Sequence, residues 1–206
     1  MSSRFEVEDF ALTLSLLSAI LALFFLGFHI ASEPRRTYFA IYVVSGEGKA
    51  VTSNCTWLRL GDEMTLNVVL ENGLGRAANA KIQTILTGDL DFSLTKPGEW
   101  NASVLDEQAF EMGDEDRSVA QVTFSVTKAS FDAGSNSITV EEVSINGRQR
   151  GVAIASPSYN QTFRLVFRLL IWNEEVQKYV AEWNDGLEDH SSWLQVWFEL
   201  EPEAGE

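Results

Sequence analysis

From Phe10 to Ala31 the chain runs 22 residues without an Asp, Glu, Lys or Arg, and no other feature constrains the fold as much. As an α-helix this run would rise about 33 Å, enough to match a bilayer hydrocarbon core of roughly 30 Å. The expectation is one transmembrane helix over 10–31, preceded by a short tail at 1–9. A cleaved signal peptide is the competing reading, and it needs a basic leader, an apolar stretch of about 7 to 15 residues and small residues before the cut. Here Glu6, Glu8 and Asp9 follow Arg4, the run is longer, and His29 stands two positions before Ala31, where a small residue is needed. Within the run Ala11, Ser15 and Ala19 recur at four-residue steps, with Ser18 and Ala22 beside them. Such a stripe lets a second helix approach closely. These five are candidate helix-docking residues, with other membrane-protein subunits as partners, against the plainer reading that Ala and Ser are common in any span.

Ser32-Glu33-Pro34-Arg35-Arg36 is a polar linker at 32–36, and from Thr37 the apolar spacing changes to two-residue alternation. Met64, Leu66, Val68 and Leu70 point one way while Thr65, Asn67 and Glu71 point the other. The same period recurs at Ala120, Val122, Phe124 and Val126, at Phe163, Leu165, Phe167, Leu169 and Ile171 against Arg164 and Arg168, and from Trp193 to Leu200. Tyr38 to Val44, Ala80 to Leu86 and Ser137 to Val143 are further strands, and Asn72-Gly73 and Asn146-Gly147 read as hairpin connections. Seven or eight alternating strands predict an all-β domain over 37–200, an immunoglobulin-like antiparallel β-sandwich, with a barrel as the lesser alternative. A single turn of helix is the most that Asn173 to Trp183 suggests, and 201–206 is an acidic tail.

The chain carries a net charge of −15. Removing Arg4, Arg35 and Arg36 from its 15 cations and Glu6, Glu8, Asp9 and Glu33 from its 30 acids leaves 12 against 26 after residue 36. Phosphate binding needs clustered cations, so nucleic acid is excluded as a partner. The lone Cys55 forbids an intrachain disulfide and any multi-cysteine metal site.

Catalytic material is sparse. The histidines are His29, inside the apolar run, and His190, which follows Glu188 and Asp189 in what reads as a polar turn from Asn184 to Ser192. Gly113-Asp114-Glu115-Asp116 lacks the alternating oxygen ligands and distal Glu of a calcium loop and reads as a solvated hairpin tip. No residue is therefore assigned a catalytic, cofactor-binding or metal-binding role, and no cofactor is expected. Two carboxylates suffice for glycoside hydrolysis, but no pair stands out. Trp172, Trp183, Trp193 and Trp197 crowd the last strands. The expectation places them mainly in a tryptophan-rich core between two sheets, with an outer face that binds sugar or protein as the alternative.

Three glycosylation sequons, at Asn54, Asn101 and Asn160, all follow the apolar run. They favour a domain outside the membrane. The flanking charges oppose this, with Arg4 before the run and Arg35, Arg36 and Lys49 after it, although long domains translocate largely regardless of charge.

The segment Arg36 to Ala50, with Leu60-Gly61-Asp62-Glu63 and Leu66 to Asn72 after it, resembles an archaeal family of predicted membrane proteins of unknown function, numbered sixteen-sixteen. Phe163 to Leu169 and Trp193 to Phe198 are similar to that family's closing strands. The resemblance implies an archaeal source and an extracytoplasmic β-sandwich, and it supplies no catalytic residues. Typical members have several spans where this chain has one apolar run. The expected function is a non-catalytic accessory or scaffold subunit at the cell membrane, whose helix docks in a membrane complex while the sandwich binds a protein partner, a cell-surface layer or a glycan. An archaeal surface-filament or stator component is the alternative, and a carbohydrate-binding or carbohydrate-active ectodomain the lesser one.

Overall fold

The computed structural model describes residues 15–27, 37–45, 56–89, 101–156, 161–184 and 189–201. The chain divides into two units, Met1–Arg36 and Thr37–Glu206.

In the first unit, residues 15–27 form a helix whose Leu16, Leu17, Ile20, Leu21, Leu23, Phe24, Phe25 and Leu26 side chains are all exposed. Thirteen residues rise only about 20 Å. Among the described residues no helix is long and apolar enough to cross a membrane, which corrects the expected transmembrane helix over 10–31. The described helix covers 13 of the 22 positions of the uncharged run.

The second unit is all-β. Its strands are β1 (Tyr38–Ser45), β2 (Thr56–Leu58), β3 (Met64–Gly73), β4 (Ala78–Thr87), β5 (Ala102–Met112), β6 (Arg117–Asp132), β7 (Ser137–Ile145), β8 (Arg148–Ala155), β9 (Thr162–Asn173), β10 (Lys178–Val180), β11 (Glu182–Asn184), β12 (Asp189–Ser191) and β13 (Trp193–Leu200). One sheet has the order β1-β3-β6-β7-β8 and the other β2-β13-β9-β4-β5, with β10 folded back on β9 and β11–β12 a separate ribbon. The two sheets pack as a β-sandwich. One correction to the expected architecture is that β2 pairs with β13 in parallel, whereas the other ladders are antiparallel.

The alternation sets which side chains meet between the sheets. Leu66, Val68 and Leu70 of β3, with Val122 and Phe124 of β6, face Ile82 and Leu86 of β4, Leu165 and Phe167 of β9 and Phe198 of β13 in one continuous cluster. Phe198 lies 5.4 Å from the Phe124 ring and 5.6 Å from that of Phe163. Strand β9 sits between β13 and β4, and all but three of its 12 residues are buried.

One buried amide fastens two of the connections that carry the chain between sheets, β3–β4 and β5–β6. Asn72, 1% exposed, donates from Nδ2 to Arg76 O at 2.9 Å and Gly113 O at 2.8 Å, and its Oδ1 accepts from Leu74 N at 3.1 Å. Its backbone N–H donates to Asp116 O and its carbonyl accepts from Glu115 N. Asn72-Gly73 was expected as a hairpin turn but ends β3, and Gly113 to Asp116 joins β5 in one sheet to β6 in the other. Asn146-Gly147 does form the β7–β8 turn, with φ of 50° and 74°, the left-handed pair that a two-residue hairpin demands.

Candidate binding face on the second sheet

In β13 the residues Val196, Phe198 and Leu200 point into the core, so Trp193, Gln195, Trp197 and Glu199 take the opposite face. Register then builds cross-strand rows on the outside of that sheet. Trp197 stands opposite Arg164, Gln195 opposite Val166 and Trp193 opposite Arg168 on β9. On the far side of β9, Thr87, Ile85 and Gln83 of β4 continue these rows. Trp57 of β2 pairs with Glu199 on the same face and is 61% exposed. Trp172 meets Tyr179 edge-on at 5.2 Å where β10 folds back.

Trp172, Trp193 and Trp197 therefore lie outside the core, contrary to expectation, and the Trp183 side chain is outside the described residues. Phenylalanines fill the core, and Trp57 and Trp193 stand exposed on the outer sheet face. The centre of the face is closed to solvent, with Val166 at 0% and Arg164 at 3% exposure. The β13 parity was readable from Leu194, Val196, Phe198 and Leu200, whereas Trp57 lies in a strand that no alternation revealed.

Three cations occupy this face, and two are engaged. The Arg164 guanidinium lies 4.6 Å over the Trp197 ring and donates from Nη1 to Gln195 Oε1 at 2.9 Å. Lys81 lies 4.6 Å from the Tyr179 ring centre and donates to Glu107 Oε2 at 2.9 Å. The third, Arg168, has an Nε closed to water, and among the described residues no hydrogen bond or ion pair engages its guanidinium. Burial pushes the Arg168 pKa below its ordinary value, and the Glu182 charge pulls it the other way. Glu107 accepts from Lys81 and from Gln83, which hold its carboxyl below the usual range.

On another side of the sandwich the free edges of β5 and β8 are latched together. Asn101 Nδ2 donates to Ala155 O at 2.6 Å, and Asn146 Nδ2 donates to Asp106 Oδ2 at 2.7 Å. Beside the second latch lies an open cleft of about 510 Å³ lined by Asp106, Glu107, Gln108, Gln121, Thr123, Asn146 and Arg148. In it Asp106 accepts from Asn146, while Glu107 is held as an anion by Lys81 and Gln83.

The residues singled out in the sequence fall in separate places. Asn54 and Asn160 lie outside the described residues, and Asn101 spends its side-chain N–H on Ala155, a bond that a glycan on Nδ2 would disturb. Ser15, Ser18, Ala19 and Ala22 lie on the exposed helix, and Ala11 is outside the described residues. His190 sits in the β11–β12 ribbon opposite Trp183, of which only the backbone is described. Among the described residues no cluster of three or more His, Cys, Asp or Glu could hold a metal ion.

No family model matches the chain, and no curated protein does. Several solved structures align with the chain at low identity. The CARDB domain of a Pyrococcus furiosus protein, solved with di-metal ions, aligns with a TM-score of 0.39 at 6% identity, over 82% of this chain and 97% of that one. A β-glucosidase from Listeria innocua with laminaribiose aligns with a TM-score of 0.37 at 10% identity, over 81% of this chain and 16% of the enzyme. The sporulation control protein Spo0M from Bacillus subtilis aligns with a TM-score of 0.28 at 11% identity, over 76% of this chain and 90% of that one.

Proposed function

We propose that the protein is a non-catalytic accessory or scaffold subunit whose β-sandwich binds a protein partner outside the membrane through the outer face of its second sheet. The observation that carries this reading is the display of Trp57 and Trp193 on that face, Trp193 in one row with Arg168 and Trp57 in the row of Glu199. Trp and Arg are the residues most enriched where protein partners bury energetically dominant contacts. Large rings exposed on a sheet whose opposite face already has a complete core serve no packing need of the domain itself. The all-round apolar helix over 15–27 supports an attachment role, because a helix apolar on every side is stable only when other apolar groups surround it. In this reading the helix docks among membrane-associated partner subunits.

The test is chemical cross-linking of the tagged full-length chain in its native cells, followed by mass spectrometry of the adducts. W57A and W193A are expected to reduce the cross-linked partner by about tenfold or more, the scale of a dominant contact, while Q149A on the other sheet leaves it unchanged. Retention of the same adduct at full yield in both Trp variants would overturn the assignment of this face.

A further inference from the structure

We propose that Arg168 is the anchor for a carboxylate of the partner, so that the outer face of the second sheet recognises an acidic side chain. The inference rests on the binding-face reading above and adds the chemistry of what is bound.

A guanidinium carries five N–H donors in a fixed fork. In a folded protein such a group is either fully in water or hydrogen-bonded, since donors cut off from water and left unpaired are costly. The Nε–H of Arg168 meets neither condition. That Nε is closed to solvent, and among the described residues nothing accepts from the Arg168 guanidinium. Of its two cationic neighbours on the same face, Lys81 is held by Glu107 and Tyr179, whereas Arg164 is held by Gln195 and Trp197 through one Nη and one ring face while its buried Nε and Nη2 make no hydrogen bond among the described residues. Glu182 is close enough to act on Arg168 through its charge but forms no ion pair with it.

The setting suits a planar anion. Trp193, 39% exposed, stands directly opposite Arg168 on β13, and Gln83 stands opposite it on β4. An incoming carboxylate would meet the guanidinium fork between an indole and an amide, the arrangement in which bidentate pairing is strongest. Being partly desolvated already, Arg168 gives up less hydration on pairing than a surface arginine does. Charge selects a carboxylate over a phosphate. Glu107, Glu182 and Glu199 surround the rows and the chain carries −15, so a dianion meets more repulsion than a monoanion.

The experiment is an NMR titration of the ¹⁵N-labelled full chain, following the side-chain Nε–H signals. Arg168 is identified as the signal missing from R168Q. The probe is N-acetylglutamate N-methylamide, compared with N-acetylglutamine N-methylamide and inorganic phosphate at one ionic strength. The expected result is a saturable shift of the Arg168 Nε–H and Trp193 indole signals with the glutamate probe alone, with half-saturation in the millimolar range of a lone ion pair. R168K, which keeps the charge and loses the fork, binds several-fold more weakly. Equal shifts with the glutamine probe, saturation by phosphate at lower concentration, or no shift of the Arg168 signal overturns the proposal, and the wild-type titration decides this even if a variant fails to fold. A negative titration with loss of the cross-linked partner in W193A removes the carboxylate and leaves the binding face. Unchanged cross-linking in both W57A and W193A removes the face itself.

Discussion

Replacing Asn72 by Ala isolates the interaction that ties the two inter-sheet connections together. The side chain is 1% exposed and makes three well-formed bonds, to Arg76 O, Gly113 O and Leu74 N, at 2.8 to 3.1 Å; the contact to Met112 O at 3.5 Å is too long to count. N72A leaves three backbone groups short of a partner at a site with little access to water, while the backbone bonds of residue 72 itself remain. At about 1 kcal/mol for each bond, the expected loss is about 3 kcal/mol. For a domain of this size that corresponds to a fall in Tm of roughly 6 to 12 °C. Urea unfolding monitored by tryptophan fluorescence measures it, with an unchanged m-value as the sign that only the native state was altered. N72D sharpens the test, because its carboxylate would face the Arg76 and Gly113 carbonyl oxygens. A carboxyl so placed has a raised pKa, so N72D is least unstable below about pH 4 and loses further stability as the pH rises through the unfolded and then the folded pKa. The exposed N79A on β4 should stay within about 0.5 kcal/mol of wild type. A loss below about 1 kcal/mol for N72A, or identical pH profiles for N72A and N72D, would refute the clamp.

F198A opens a void among Phe124, Phe163 and Phe198 between the sheets and should cost about 3 to 5 kcal/mol by the same urea assay. G88A places a methyl group inside the van der Waals contact of the Ala155 carbonyl oxygen, where neither backbone can give way; it should cost about 2 to 4 kcal/mol through overpacking and loss of the Asn101 latch, read as a lower thermal midpoint by circular dichroism. Glu107 has a pKa held down by Lys81 and Gln83, so its stabilisation is complete above its unfolded value of about 4.3 and fades as the pH falls through the lower folded value. E107Q should therefore flatten the decline in the urea midpoint on the acid side, and an unchanged acid limb would show that Glu107 does not contribute to it.

How much was legible depended on whether the physical signal was local. Alternation named β1, β3, β4, β6, β7, β9 and β13, because in each of them one face is buried and the period of two is imposed on neighbouring residues. The short β2 and β10 to β12 lack enough residues to show a period, and β5 breaks its own by a bulge where it pairs with Thr84 and Ile85. The Asn146-Gly147 turn was readable because Asn-Gly is one of the few residue pairs that relax into two successive left-handed conformations. Asn72-Gly73 carries the same signature, yet Asn72 is used as a buried clamp that joins the nearby Arg76 carbonyl to that of Gly113, 41 residues away.

By itself the sequence determined a β-sandwich with alternating faces, a net charge of −15 and an apolar segment over 10–31. The tertiary structure decided the rest. The position of the tryptophans, the surroundings of Arg168 and the role of Asn72 arise from register between strands far apart in the chain. Periodicity fixes which face of its own strand a residue occupies, and only the pairing of strands fixes what stands beside it.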